Sequence, residues 1–480
     1  MKKSRAMRAA LVGTFAILML PAGRASADQT SDLKSEIEAQ RALIEAQRAR
    51  LDALEKKLDA AVTAQQATET KQAAQAAEAK QAADAREAAA KEAAENGFKM
   101  TLGVPVDGMG QTYGLGAQGS GLIFQVTPAD VLTLYGLLDI TFSNITNANA
   151  DGKSLTAYQV AWFSGNRWGI TGKHALGPDR PNVIYKLESE FVLNTGEMDT
   201  PGVIFNRDAW IGFESESLGK LTFGRQNALA RDYSGIYGDP YGSAVVTLEE
   251  GGYTNQNNFK QLIYYAASAT GTRYDNGIVW KKKWGENWVT GLGGQFGTTP
   301  GEFSHNTTET VAVGYNAGVF NLAGYYNHIN VNGLTHQAFS IGGNVQPNSL
   351  LRVNAGWYYY KADQGFVGTR RDDAYTISAK LTPDASSLDY ELGYQLFHAK
   401  NAGFNAGGFT FIPYQDASGA TTSGTGDKKT AYGSIFYHFD RRTEAYLAAD
   451  YMRLTDGYKL AVTNGHNSQA EVAIGMRFRF

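Results

Sequence analysis

The last ten residues, EVAIGMRFRF, alternate strictly: Val472, Ile474, Met476, Phe478 and Phe480 fall on one side of an extended chain, and Glu471, Ala473, Gly475, Arg477 and Arg479 on the other. A period of two predicts a strand with one greasy and one polar face. Similar segments are expected at 131–143, 158–172, 182–194, 205–215, 219–226, 275–283, 288–297, 308–316, 319–330, 335–346, 349–361, 372–382, 387–398, 428–439, 443–454 and 468–480, sixteen in all. The short connections Ser217-Leu218-Gly219, Gly285-Glu286-Asn287, Ala317-Gly318, Pro347-Asn348-Ser349, Pro383-Asp384 and Asp440-Arg441-Arg442 share one end of the sheet in this reading. The longer connections share the other. An even strand number returns both ends of the sheet to the same side.

Residues 28–96 follow a different period. Ile37, Ile44, Leu51 and Leu58 recur every seven residues, and Leu33, Gln40, Gln47, Leu54 and Ala61 fill the positions between them. These are the a and d sites of a coiled coil, with Gln40 and Gln47 as buried polar residues that fix register. From Ala64 to Ala94 the seam dissolves into Ala, Gln, Glu and Lys, which suits either a single solvated helix or a loose Ala-packed bundle. A helix over the whole segment would reach on the order of 100 Å at 1.5 Å per residue. Residues 97–130, with GMGQTYGLGAQGSG inside, read as a Gly-rich connector.

The amino terminus is a targeting signal in this reading. Lys2, Lys3, Arg5 and Arg8 precede the apolar stretch 9–20, and Ala25-Ser26-Ala27 has the small-x-small form of a cleavage site, so residues 1–27 are set aside as a signal peptide. No later apolar run is long enough to cross a bilayer as a helix, and a spanning structure would therefore have to be a closed barrel. Composition agrees: 26 Tyr, 23 Phe and 54 Gly with no Cys suit a large exported β protein without disulfides. The mean hydropathy of −0.32 is compatible with a barrel, in which only alternate side chains meet lipid. The formal charge of −3 argues against a nucleic-acid partner.

Several segments in order resemble one family. LTLYGLLDITFSN (132–144), NRWGITGKHALG (166–177), IYKLESEFVLNTG (184–196), FNRDAWIGFESESLGKLTFGRQ (205–226), RYDNGIVWKKK (273–283) and the closing MRFRF are similar to the general trimeric porins of Gram-negative outer membranes, the proteobacterial diffusion-porin family. The resemblance implies an all-β transmembrane fold over 131–480, a sixteen-stranded antiparallel barrel preceded here by a periplasmic coiled-coil stalk. It also implies a homotrimer in outer-membrane lipid, a terminal Phe480 read as an assembly signal by the barrel-assembly machinery, and passive diffusion of small hydrophilic solutes. The coiled coil, absent from ordinary general porins, resembles a smaller group, some of whose members are similar to dicarboxylate channels. It adds peptidoglycan or a periplasmic protein as a possible contact of the stalk, and a tether as a second role.

In that family the third loop folds into the barrel, and the long stretch 227–272 takes that place here. Its acids are Asp232, Asp239, Glu249 and Glu250, with Tyr233, Tyr237 and Tyr241 among them. Alternation places Arg167, Lys173 and Lys186 inside, with Arg477 and Arg479 on the last strand; Arg225 and Arg207 are further candidates for the basic wall. Facing acids and bases would set a transverse field across a narrow waterway. Lys281, Lys282 and Lys283 read as a solvated rim beside a turn. No nucleophile elbow, Cys nucleophile or metal-spaced His pair is present, so neither enzyme, metal nor cofactor is expected.

Overall fold

The computed structural model of the chain describes residues 27–95, 99–103, 121–127, 129–160, 162–238, 240–251, 267–383, 386–405, 408–409, 422–459 and 465–480. Two compact units are present, residues 1–89 and residues 90–480. The expected export signal lies outside the described residues apart from Ala27.

The first unit is dominated by α1, a 69-residue helix over Ala27–Glu95 that runs on into the start of the second unit. Its Ala, Gln, Glu, Lys and Arg are strong helix formers with little side-chain entropy to lose. The seam residues lie open on the single chain: Leu33, Ile37, Ile44, Leu51, Leu54 and Leu58 are all exposed, Leu51 by 64%. Gln40 and Gln47 are exposed beside them.

The second unit is one antiparallel sheet. In chain order its strands are β1 (Lys99–Gly103), β2 (Gly121–Thr127), β3 (Asp130–Ile145), β4 (Leu155–Val160), β5 (Asn166–Ala175), β6 (Asn182–Phe191), β7 (Asp208–Ser215), β8 (Gly219–Asn227), β9 (Arg273–Trp284) and β10 (Trp288–Gln295). They continue with β11 (Thr308–Asn316), β12 (Phe320–Val331), β13 (Leu334–Val345), β14 (Leu351–Asp363), β15 (Thr369–Leu381), β16 (Leu388–Asn405), β17 (Gly408–Phe409), β18 (Thr422–His438), β19 (Thr443–Leu454) and β20 (Ser468–Arg479). Each stave pairs with its neighbour, and β20 returns to β3 with Phe478 opposite Leu138. Counting β4 with β5 as one interrupted stave and leaving aside β1, β2 and the two-residue β17, sixteen staves close the barrel. The expected strands 308–316 and 443–454 match to the residue.

Burial runs opposite to a water-soluble barrel. Outward positions such as Ile211, Ile341, Leu392 and Ile474 are exposed apolar side chains, whereas Lys186, Glu188, Asp208, Glu391, Glu444 and Arg477 are buried on the inner face. This is the pattern of a sheet with lipid outside and a polar interior. Trp284 and Trp288 flank the turn 285–287 and stay about half exposed, as aromatics at a membrane interface do. The two-residue connection Asn332-Gly333, with φ of 51° and 81°, is the primed hairpin turn that matches strand twist.

Two features differ from the sequence expectation. Part of the Gly-rich connector is strand: β2 pairs with β3, Leu122 opposite Leu134, and β1 pairs with β2. Residues 104–120 of that connector lie outside the described residues. The expected strand 158–172 is broken after β4, and the chain resumes pairing only at β5. At the seam, the Phe480 ring lies over Gly136, where an added Cβ would come within 2.2 Å of it. The backbone NH of Gly136 donates to Phe480 O at 2.8 Å, and the NH of Phe480 donates to Gly136 O at 3.0 Å.

Candidate functional site: the barrel lumen and its inward loop

The third loop starts with a short helix, α2 (Leu229–Ser234), wholly buried inside the barrel. It lies over Gly291 and Gly293 of β10, where an added Cβ would come within 2.8 Å of Tyr233 and 3.0 Å of Leu229, and the wall under the stretch that follows is also bare. An added Cβ would meet the Tyr237 ring at 2.5 Å on Gly342 of β13 and 2.3 Å on Gly356 of β14, and Val246 at 2.9 Å on Gly314 of β11. Glycines at these three places form a track into which the loop's bulky side chains sink, a close approach that any side chain would block. Substituting Gly356 by Ala is expected to push Tyr237 off the wall at a cost of about 1–3 kcal/mol. A lower unfolding temperature and noisier open-channel current would register the change.

Polar side chains of the wall hold the loop backbone. Asn344 Nδ2 donates to Ile236 O at 2.9 Å and to Ala244 O at 2.7 Å. Asn316 accepts from the NH of Val246 at 3.1 Å and donates to Val246 O at 2.8 Å. Arg352 donates to Gly242 O at 2.8 Å and also reaches Pro240 O. Tyr237 and Tyr241 share hydroxyl hydrogen bonds with Ser340 at 2.7 Å and Ser434 at 2.6 Å. These bonds satisfy loop groups that would otherwise be buried without partners.

The loop's acids are ion-paired with the wall. Asp232 pairs with Lys281, and its Oδ1 accepts from the NH of Gly251 at 2.8 Å and from Asn227 at 3.2 Å. Glu249 pairs with Lys220, and Glu250 with Lys186 while accepting from Trp210 Nε1 at 3.1 Å. Lys186 is also 2.9 Å from Asp208 and 3.7 Å from Glu188. Arg207 pairs with Glu188 and Glu190; Arg167 lies 3.9 Å from Glu188, and Arg273 3.8 Å from Asp208. The inner face of β5–β9 is thus a continuous charged ribbon, with the loop clamped to it.

A family model described as Gram-negative porin matches residues 117–457. The chain belongs to the Gram-negative porin family. An outer membrane porin protein of Bordetella pertussis is 32% identical over 179 residues, 34% of this chain and 42% of that relative, so the match spans less than half of the relative's length. Among solved structures, an anion-selective porin from Comamonas acidovorans is similar with a TM-score of 0.55 at 18% identity, covering 73% of this chain and all of that one. OmpT of Vibrio cholerae in its trimer form gives a TM-score of 0.50 at 15% identity, with the same coverage. At these identities the likeness is one of fold; family membership carries the outer-membrane location.

Within the porin, the expected wall residues divide. Arg167, Lys173 and Lys186 do face inward, Lys173 half-exposed and 3.5 Å from Glu214. Arg477 is inward and buried, paired with Glu444. Arg225 is not on the lumen. Unbroken alternation along β8, with Lys220, Thr222 and Gln226 buried on the inner face, puts Arg225 opposite Ala209 on the outward side, where it pairs with Asp275. Lys281 is not a rim residue: it is buried and alternates with outward Trp280 and Lys282, Lys282 lies over the Trp284 ring, and Lys283 stays exposed beside the turn. Asp239 lies outside the described residues. Lys220, Arg231 and Arg273 join the inward bases unexpectedly; alternation along β8 could have found Lys220, whereas Arg273 lies before the expected strand 275–283 and beyond a register shift on β9.

Proposed function

We propose that this porin forms a water-filled channel for passive diffusion of small hydrophilic solutes and ions, narrowed by loop 3. The observation that carries the reading is the loop's double attachment inside the barrel, by the glycine track on one stretch of wall and by the Asp232–Lys281, Glu249–Lys220 and Glu250–Lys186 pairs on another. A loop held this way is a permanent narrowing rather than a mobile flap. The charged ribbon keeps the passage wet and favours polar solutes.

A second reading, a channel selective for anions such as dicarboxylates, is favoured by the root of the loop. There Arg167, Arg207 and Arg273 gather within 4 Å of Glu188, Glu190 and Asp208, a cluster of guanidinium groups in the lumen wall. Reversal potentials across a salt gradient decide between the two: near-zero values and no block by succinate support general diffusion, whereas a strong anion preference with dicarboxylate block supports the selective channel.

Self-association into a trimer is the assembly proposed here, supported by the open heptad seam of α1 and by the trimeric form described for OmpT. The chain has no Cys, so single cysteines report cleanly. Ile44→Cys, on the seam, is expected to cross-link on oxidation, and Ala49→Cys, off it, is not; equal behaviour of the two would contradict bundling. A helix of 69 residues also suits a tether to the cell wall, and pull-down on peptidoglycan with and without residues 28–95 tests that role.

A further inference from the structure

The break between β4 and β5 is a built feature. Ile140 of β3 pairs with Val160 and Leu137 with Arg167, so two residues of β3 face a much longer stretch of the neighbouring stave. Its described part, residues 162–165, does not loop out into lipid. Trp162 and Phe163 are fully buried inside the barrel, against inward-facing residues of β18, β19 and β20.

Hydrogen bonds, a guanidinium and aromatic contacts fix this inward turn. Trp162 Nε1 donates to Glu471 Oε1 at 2.8 Å, the NH of Ser164 donates to Asp139 Oδ2 at 2.9 Å, and Arg167 Nε donates to Gly165 O at 2.8 Å. Arg477 donates to Ser164 Oγ at 3.1 Å and sets its guanidinium 5.5 Å from the Phe163 ring centre and 5.1 Å from that of Phe436. Phe163 then makes edge-on contact with Tyr446 at 4.6 Å and lies 4.9 Å from Phe436. Its last neighbour is Tyr241 of loop 3, at 4.7 Å. Aromatic contacts of this kind add to area burial and fix geometry.

We infer that the Trp162–Phe163 turn is a second, rigid element of the constriction: it occupies lumen on the β18–β20 side and latches the far part of loop 3 through Tyr241. This rests on the reading of loop 3 as the narrowing. Two inward elements meeting at Phe163 and Tyr241 fix the size of solute that passes, and the cation expected on the wall at Arg477 serves to hold the turn.

The test is swelling of proteoliposomes in a monosaccharide and in a trisaccharide, with heat-modifiable gel mobility certifying folded barrels. Phe163→Ala is expected to raise the trisaccharide rate relative to the monosaccharide rate roughly twofold or more, as widening a narrow pore does. Phe163→Leu, which keeps bulk and serves if the Ala variant does not fold, is expected to give a smaller shift in the same direction. A variant lacking residues 240–251 is run beside them. If that deletion widens the pore while folded Phe163 variants keep the original rate ratio, the latch is wrong and the loop 3 reading stands. If none changes the ratio, both are wrong.

Discussion

Replacing Lys281 with Gln is expected to loosen loop 3 and give larger, flickering current steps. Asp232 and Lys281 side chains are each only 3% exposed, and the carboxylate organises the loop through Gly251 and Asn227. Removing only the cation leaves a buried charge without its partner, a loss of about 3–5 kcal/mol. That exceeds what any single loop hydrogen bond returns, about 1 kcal/mol. The neighbouring Lys282→Gln, outside the barrel, is the matched control and should leave conductance unchanged. Adding Asp232→Asn to Lys281→Gln should recover part of the loss, because neither group then carries a buried charge. Conductance histograms of the three variants check this directly.

Deleting Phe480 is expected to lower the amount of folded barrel in the outer membrane about tenfold. The residue closes the seam with two backbone hydrogen bonds to Gly136 and covers that glycine with its ring. Two such bonds at about 1 kcal/mol each, with some lost apolar burial, exceed the 1.4 kcal/mol that corresponds to a factor of ten. Phe480→Tyr keeps the ring and backbone and should stay near the unaltered level. The heat-modifiable fraction of membrane extracts measures both. Unchanged levels after deletion would show that the rest of β20 suffices for closure.

Much of the barrel was legible because lipid outside and water inside impose a period of two that survives along each stave. The inward set Arg167, Lys173 and Lys186 followed from one parity assignment on β5 and β6. Parity fails where the strand does. The inward turn at Trp162 and Phe163 was invisible in AWFSGN, whose aromatic residues read equally well as lipid-facing, whereas Arg225 lies outward by unbroken alternation from the inward Lys220. At Lys281–Lys283 three like residues hid which one pointed in. The loop's acids were identifiable, but not that Lys186, Lys220 and Lys281, from different strands, would meet them on one wall. Those pairings depend on contacts between residues 29 to 64 apart in sequence, which local pattern does not encode.

The central claim, a permanently open aqueous passage narrowed by an anchored loop, is tested most directly by single-channel recording of the purified, folded protein in a planar bilayer. Steady ion-conducting steps that persist without any added ligand, grouped in threes, are the predicted result. Folded protein that inserts but carries no current would contradict it, and would leave the long helix as the functional part of the chain.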